Sequence, residues 1–372
     1  MVEWKRIKDV FETRNGYTPS TKNDSFWTGG IIPWFKMDDI RENGSVLNDS
    51  NLHITKKAIK GKGLFKANSI ILATSATIGE HALITVDHLC NQRFTNFFPQ
   101  KEFEEMVDMK YVYYYMFKVD EWCKQHTHQG GFASVDMEGL NKLRIPIPSL
   151  SEQKRIVGIL DTFTDSIENL KQQIDQRRKQ YEHYRDQLLD LEGKEGVEMT
   201  PLKDVAEIGT GSSNTNEGLK EGKYPFYTRG KEVLWKNEYE FDDTSIITAG
   251  DGVGVGKVFH FVSGKYALHQ RAYRIHIKSN NIIPRFIYYF MVSTFETYIR
   301  MKSFFAAVSS VRKPMIYNYP IPKCPLSEQQ RIVSILDTFE ASISNLEAQL
   351  EQRQKQYEYY RNKLLSFEKE EH

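Results

Sequence analysis

Leu150 to Phe163 reads LSEQKRIVGILDTF and Leu326 to Phe339 reads LSEQQRIVSILDTF, an offset of 176 residues in a chain of 372. Aligned without a gap, Ser151–Leu189 and Ser327–Leu365 share 26 identities in 39 positions, so the chain contains an internal duplication. Apolar residues in the first copy fall at Ile156, Leu160, Phe163, Ile167, Leu170 and Ile174, then Tyr181, Tyr184 and Leu188. In the second they fall at Ile332, Leu336, Phe339, Ile343, Leu346 and Leu350, then Tyr357, Tyr360 and Leu364. Steps of four and three residues define a heptad seam, which predicts two long helices paired as a coiled coil. Only Arg177 and Arg353 interrupt it, at the same place in each copy. Their predicted role is to reach out to flanking carboxylates, with setting of the register as the sharper alternative. Ser151 and Ser327 are the expected helix caps, and Glu152 and Glu328 suit the positive end of the helix dipole. A helix of 39 residues is roughly 58 Å long.

The duplication continues outside the helices. SIILAT at Ser69–Thr74 answers SIITAG at Ser245–Gly250, NQR at Asn91–Arg93 answers HQR at His269–Arg271, and YVYYYM at Tyr111–Met116 answers FIYYFM at Phe286–Met291. The order is therefore domain 1–148, helix 149–192, domain 193–324 and helix 325–372, with the charged LEGKEGVEMTP of residues 191–201 as hinge. Short β-prone runs such as HALITV and KVFHFV, set between Gly, Asn and Asp turns, predict mixed α/β (α+β) domains with a curved sheet. A second helix returning beside the first makes the pair antiparallel and relates the two domains by a pseudo-two-fold axis.

Composition narrows the function. Net charge is +1, but residues 197–326 carry +5 while 151–196 carry −2 and 327–372 carry −3, so the basic bias lies between the helical copies. No apolar run reaches the roughly 20 residues of a membrane span and the N-terminus lacks a signal-peptide core, so a cytoplasmic location is expected. Cys90, Cys123 and Cys324 have neither disulfide nor zinc spacing and are expected to be reduced structural thiols.

Motifs for catalysis are missing. GDGVGVGKV at Gly250–Val258 places Asp251 where a phosphate loop needs its first glycine and Val258 where it needs Ser or Thr. Its alternate glycines instead suit close approach by a packed helix or a DNA backbone. His126 and His128 lack a third ligand at a definable spacing.

The doubled EQxRIVxIL, the stretch GYTPSTKNDSFWTGGIIPWFKMDDI at Gly16–Ile40 and ANSIILATSATIG at Ala67–Gly79 resemble the specificity subunits of type I restriction-modification systems. The likeness spans essentially the whole chain; the second domain departs from it at IGTGSSNTNEG, Ile208–Gly218, and in the glycine run. The resemblance implies a non-enzymatic subunit whose two target recognition domains each read half of a split sequence in double-stranded DNA. It implies that the helices set the spacer and dock two methyltransferase subunits, and that restriction subunits join them. S-adenosylmethionine, ATP and magnesium then belong to those partners, and no cofactor is expected in this chain.

Candidate DNA contacts, chosen as phosphate or base-edge hydrogen-bonding groups on expected loops, are Lys22, Lys36, Ser75, Thr77, Gln92 and Arg93 in the first domain. In the second they are Thr228, Arg229, Lys231, Lys257, Gln270, Arg271, Arg312 and Lys313. Trp27 and Trp34 are expected in the core, and Val157, Ile159 and Ile335 are apolar positions off the seam that suit either a methyltransferase contact or packing against the domains. The competing class is a coiled-coil scaffold joining two protein-binding domains; a nucleotide hydrolase rests on the imperfect glycine run alone.

Overall fold

A computed structural model describes residues 2–128, 133–302 and 310–368. The chain divides into two compact units, residues 1–169 with 350–372 and residues 170–349. Both long helices form, over Leu150–Leu189 and Leu326–Leu364.

In the first unit a five-stranded sheet has the order Phe11–Asn15, Phe94–Pro99, Ser69–Ala73, His81–Ile84, Val46–Leu47, antiparallel apart from the last pairing. Its central strand, SIILA, is buried along its whole length because both faces are covered. Ile70 and Leu72 pack toward the helix Met109–Gln125, while Ile71 and Ala73 pack toward Trp34, Phe35 and Leu89 of a small three-stranded sheet. That helix is the expected aromatic one, and the Asp108 carboxylate caps it by accepting from the Lys110 and Tyr111 amides.

The second unit repeats this logic on a six-stranded sheet ordered Ala206–Thr210, Ala272–Ile277, Phe241–Ala249, Phe259–Leu268, Tyr224–Tyr227, Leu234–Lys236. Ile246 and Ile275 face the helix Pro284–Lys302, and Ile247, Leu268 and Ala272 face Tyr227 and Phe241. Residues Glu198–Pro201, expected within a hinge, instead pair with Pro320–Lys323, so only the stretch before them is a turn. No helix among the described residues is long and apolar enough to cross a membrane. All three cysteines are buried and unpaired, as their spacing suggested.

The repeated phrase owes much of its content to latches onto the domains. Gln153 is fully buried: its Oε1 accepts from the Asp108 amide at 2.8 Å, and its Nε2 donates to the Met106 and Pro148 carbonyls at 2.9 and 2.8 Å. Gln329 does the same in the second unit, accepting from Ile283 and donating to Asn281 and Cys324. Asp161 accepts from Lys110 and the Tyr114 hydroxyl, and Asp337 from Arg285 and the Tyr289 hydroxyl.

Along the seam, Ile156 and Leu160 are fully buried among residues of their own domain and Leu365, and Ile332 and Leu336 are buried with Leu189. Beyond them most seam positions are half-buried, as suits a two-helix contact; Ile174 is buried, and Tyr184 and Tyr360 are exposed. Within each unit the two helices run antiparallel: Phe163 stacks on Tyr360 at 5.3 Å in the first, and Phe339 stacks on Tyr184 at 5.5 Å in the second.

Two sequence expectations are corrected. Ser151 and Ser327 lie inside their helices; the Ser149 and Pro325 carbonyls receive the first free amides. Arg353 and Arg177 instead lie over Phe163 and Phe339, about 6 Å from the ring centres, where a cation meets the negative face of the ring.

Buried His88 supports a pH prediction. Its Nδ1 donates to the Val86 carbonyl, and burial pushes the imidazole down to about 4 from 6.5. The folded state therefore resists a proton that the unfolded chain accepts, and stability is full above pH 6.5 and declines toward pH 4. The expected loss is about 3 kcal/mol, read from urea unfolding at a series of pH values. A flat profile across that window contradicts it.

Candidate nucleic-acid interface

In each domain the candidates come from strand ends far apart in sequence. In the first, Ile32–Phe35 runs out into Lys36, Ser69–Ala73 into Ser75 and Thr77, and Leu89–Cys90 into Gln92 and Arg93. Backbone bonds tie the three: the Asn91 amide donates to the Phe35 carbonyl at 3.0 Å, and the Thr74 amide to the Arg93 carbonyl at 2.9 Å. Gln92 and Arg93 are exposed, Ser75, Thr77 and Lys36 are half-buried, and Lys36 is ion-paired with Asp38. Lys22 is exposed on a neighbouring loop that two indoles hold in place. Trp34 Nε1 donates to the Tyr17 carbonyl and Trp27 Nε1 to the Ser20 carbonyl. Trp34 is buried in the domain core, and half-buried Trp27 packs edge to face against it.

In the second domain the turn carrying His269, Gln270 and Arg271 is the hub. The His269 amide donates to the Tyr227 carbonyl, the Gln270 amide to the Ser213 carbonyl, and the Gly250 amide to the Arg271 carbonyl. Val311 joins by donating to the Gly250 carbonyl, which brings exposed Arg312 and Lys313 to the same edge. Thr228 is buried, and its hydroxyl accepts from the Gly230 amide, so it shapes a turn. Lys231 is exposed, and Lys257 lies 3.9 Å from the Glu296 carboxylate.

The glycine run is a turn that wraps the hub. A Cβ on Gly254 would stand 2.4 Å from the Arg229 carbonyl oxygen. One on Gly256, at φ +71, would stand 2.8 Å from Ile299 of the packed helix. The close approach is thus by a helix at Gly256 and by neighbouring loop backbone at Gly250 and Gly254. Val253, at the tip, is fully exposed.

The residues that sequence reasoning missed are the polar partners. Thr18 donates to Gln92 in the first domain, and Gln270 donates to Asn214 in the second, so each domain holds its glutamine by one side chain from a different segment. Asp251 receives Arg229 and Arg271. Partial burial raises its carboxyl, but hydrogen bonds from both arginines outweigh this and hold it below the ordinary carboxylate value. A duplicated motif pair with similar neighbours was the only signal that these partners left in the sequence. Among the described residues no group of three or more His, Cys, Asp or Glu side chains is placed to hold a metal.

Comparison with known proteins agrees with this duplicated plan. The family model for the type I restriction modification DNA specificity domain matches residues 1–177 and again 194–354. The chain is 48% identical over 287 residues to the type I restriction enzyme EcoprrI specificity subunit of Escherichia coli, covering 72% of this chain and 71% of that one. It is 31% identical over 297 residues to the EcoR124I/EcoR124II specificity subunit of the same species, covering 71% and 72%. The crystal structure of a type I restriction-modification S subunit from M. genitalium shares the fold, with a TM-score of 0.63 at 16% identity over 99% of this chain and 97% of that one. With one model matched in each half and the doubled helical phrase inside both matches, the chain belongs to the type I restriction-modification DNA specificity family.

Proposed function

We propose that the chain is the DNA-reading, non-catalytic subunit of a type I restriction-modification complex, each domain reading one half of a bipartite target. The observation that carries this is the matched loop cluster at one sheet edge of each domain, presenting Arg93 with Gln92 and Arg271 with Gln270. Arg and Gln are the side chains whose paired donors and acceptors fit base edges in the major groove, while Lys22, Lys231, Arg312 and Lys313 supply phosphate contacts that set position. The paired helices set the spacer between half-sites. Two methyltransferase subunits dock against them, in part at a shallow groove formed by Arg177, Ile335, Thr338 and Phe339. Restriction subunits complete the assembly, and S-adenosylmethionine, ATP and magnesium serve those partners.

The test is genome-wide adenine methylation in cells expressing the chain with its methyltransferase, against cells lacking only this chain. A split motif that vanishes with the chain is expected, and exchange of the first domain alone should alter one half of it. If no motif depends on the chain, the scaffold reading replaces this one.

A further inference from the structure

The two domains differ at one matched position, and the difference gives Asp251 a task. Ser75 and Asp251 are 176 residues apart, as are Ser134 and Ser310, and each domain closes the same antiparallel bridge, Ser75 with Ser134 and Asp251 with Ser310. At this place the second domain has a carboxylate. Its Oδ1 accepts from Arg229 Nη1 at 2.6 Å and its Oδ2 from Arg271 Nη1 at 3.0 Å. The carboxylate is largely covered, at 24% exposure, while the arginine side chains are 38% and 62% exposed. Arg229 follows the strand Tyr224–Tyr227 and Arg271 sits in the turn before Ala272–Ile277, so one anion fixes two cations from separate segments. In the first domain Ser75 cannot do this, and among the described residues Arg93 has no carboxylate partner.

Each guanidinium has five donors and commits only part of them to Asp251, which leaves outward donors on a side chain whose rotation is restricted. The trio carries one net positive charge, so it is a poor device for neutralising phosphates and a good one for orientation. The acceptor pair that an Arg fork matches on DNA is O6 and N7 of guanine. Two forks on one carboxylate lie within reach of neighbouring base pairs, about 3.4 Å apart along the duplex.

We infer that Asp251 is a specificity-determining positioning residue, holding Arg229 and Arg271 as a preset double fork for a guanine-containing step in the half-site read by the second domain. The inference rests on the DNA-reading function proposed above. Its test is the position-by-position methylation motif in cells expressing the methyltransferase with wild-type chain, Asp251→Ser, Asp251→Asn or Arg271→Lys. Asp251→Ser installs the first domain's residue, and Arg271→Lys keeps the charge at an exposed site but removes the fork. Discrimination for guanine should fall about tenfold or more at one or two positions of one half-site. The other half and the spacer should be unchanged. An unaltered motif in Asp251→Ser overturns the inference while leaving the DNA-reading function intact. Equal weakening at every position, which a phosphate contact or a purely structural role produces, also overturns it. Should Asp251→Ser fail to fold, Arg271→Lys decides alone between position-specific relaxation and either of those outcomes. A wild-type chain that directs no split motif overturns the function and the inference together.

Discussion

Inserting one heptad into each long helix, at Ile174 and at Leu350, should lengthen the spacer of the methylated motif by about three base pairs. Seven residues add about 10.5 Å of helix, against about 3.4 Å per base pair of duplex. A whole heptad is required because the seam repeats every 3.5 residues; seven returns every later apolar residue to the seam, whereas two or five would turn the seam toward water. With the half-sites unchanged but displaced, the original target can satisfy only one domain at a time. Its methylation should fall at least about a hundredfold, since each mismatched base pair typically costs about 1–3 kcal/mol and a displaced half-site loses several. An insertion in only one helix should instead mispair the seam, for example separating Phe339 from Tyr184, and weaken methylation at every spacing. Sequencing the methylome of the double insertion is the measurement. An unchanged spacer would remove the ruler from the function.

The second large effect is on stability. Gln153→Leu should destabilise the first unit by roughly 3–5 kcal/mol, because it strands the Asp108 amide and the Met106 and Pro148 carbonyls where water has poor access. Leucine fills much the same volume, so the loss reports hydrogen bonds and not a cavity. Gln329→Leu should cost the second unit a similar amount through Ile283, Asn281 and Cys324, and Lys154→Gln, which copies the other repeat's residue at an exposed position, should be nearly neutral. Urea unfolding of the three variants separates these outcomes. A loss below about 1 kcal/mol in either glutamine variant would show that water replaces the amide.

These latches explain a feature of the repeat that periodicity alone left unread. A coiled coil requires Ile156, Leu160 and Phe163, and it says nothing about why Gln153 and Asp161 recur as Gln329 and Asp337. Apart from the nearby Pro148 and Cys324 carbonyls, their partners lie in other elements of the same domain, over 40 residues away. The cap assignments failed for a related reason. Ser151 and Ser327 have the right chemistry, but the chain enters the helix one or two residues earlier, where Ser149 and Pro325 already offer carbonyls. Arg177 and Arg353 break the seam in sequence without breaking it in space, because a guanidinium can lie across an aromatic face.

The candidate site was legible in part. Cationic and amide side chains chosen on expected loops included Gln92, Arg93, Arg229, Gln270 and Arg271, and the fold brings each domain's set to one sheet edge. The turn at Thr228 was not legible, because its hydroxyl accepts from the Gly230 amide only once the chain is folded. Asp251 was missed because an acidic residue has no obvious place among DNA contacts until its arginines stand beside it.

What the sequence by itself determined is the duplication, the two long amphipathic helices and the run of strands, because these depend on local periodicity and on chemistry repeated at a constant offset. What only the tertiary structure decided is which side chains hold one another: Gln153 to Asp108, Asp161 to Tyr114, and Arg229 to Asp251 to Arg271. Such pairings depend on strand ends and helix faces meeting at hydrogen-bond distance, and that distance is set by how the sheets and helices pack, which no spacing along the chain encodes.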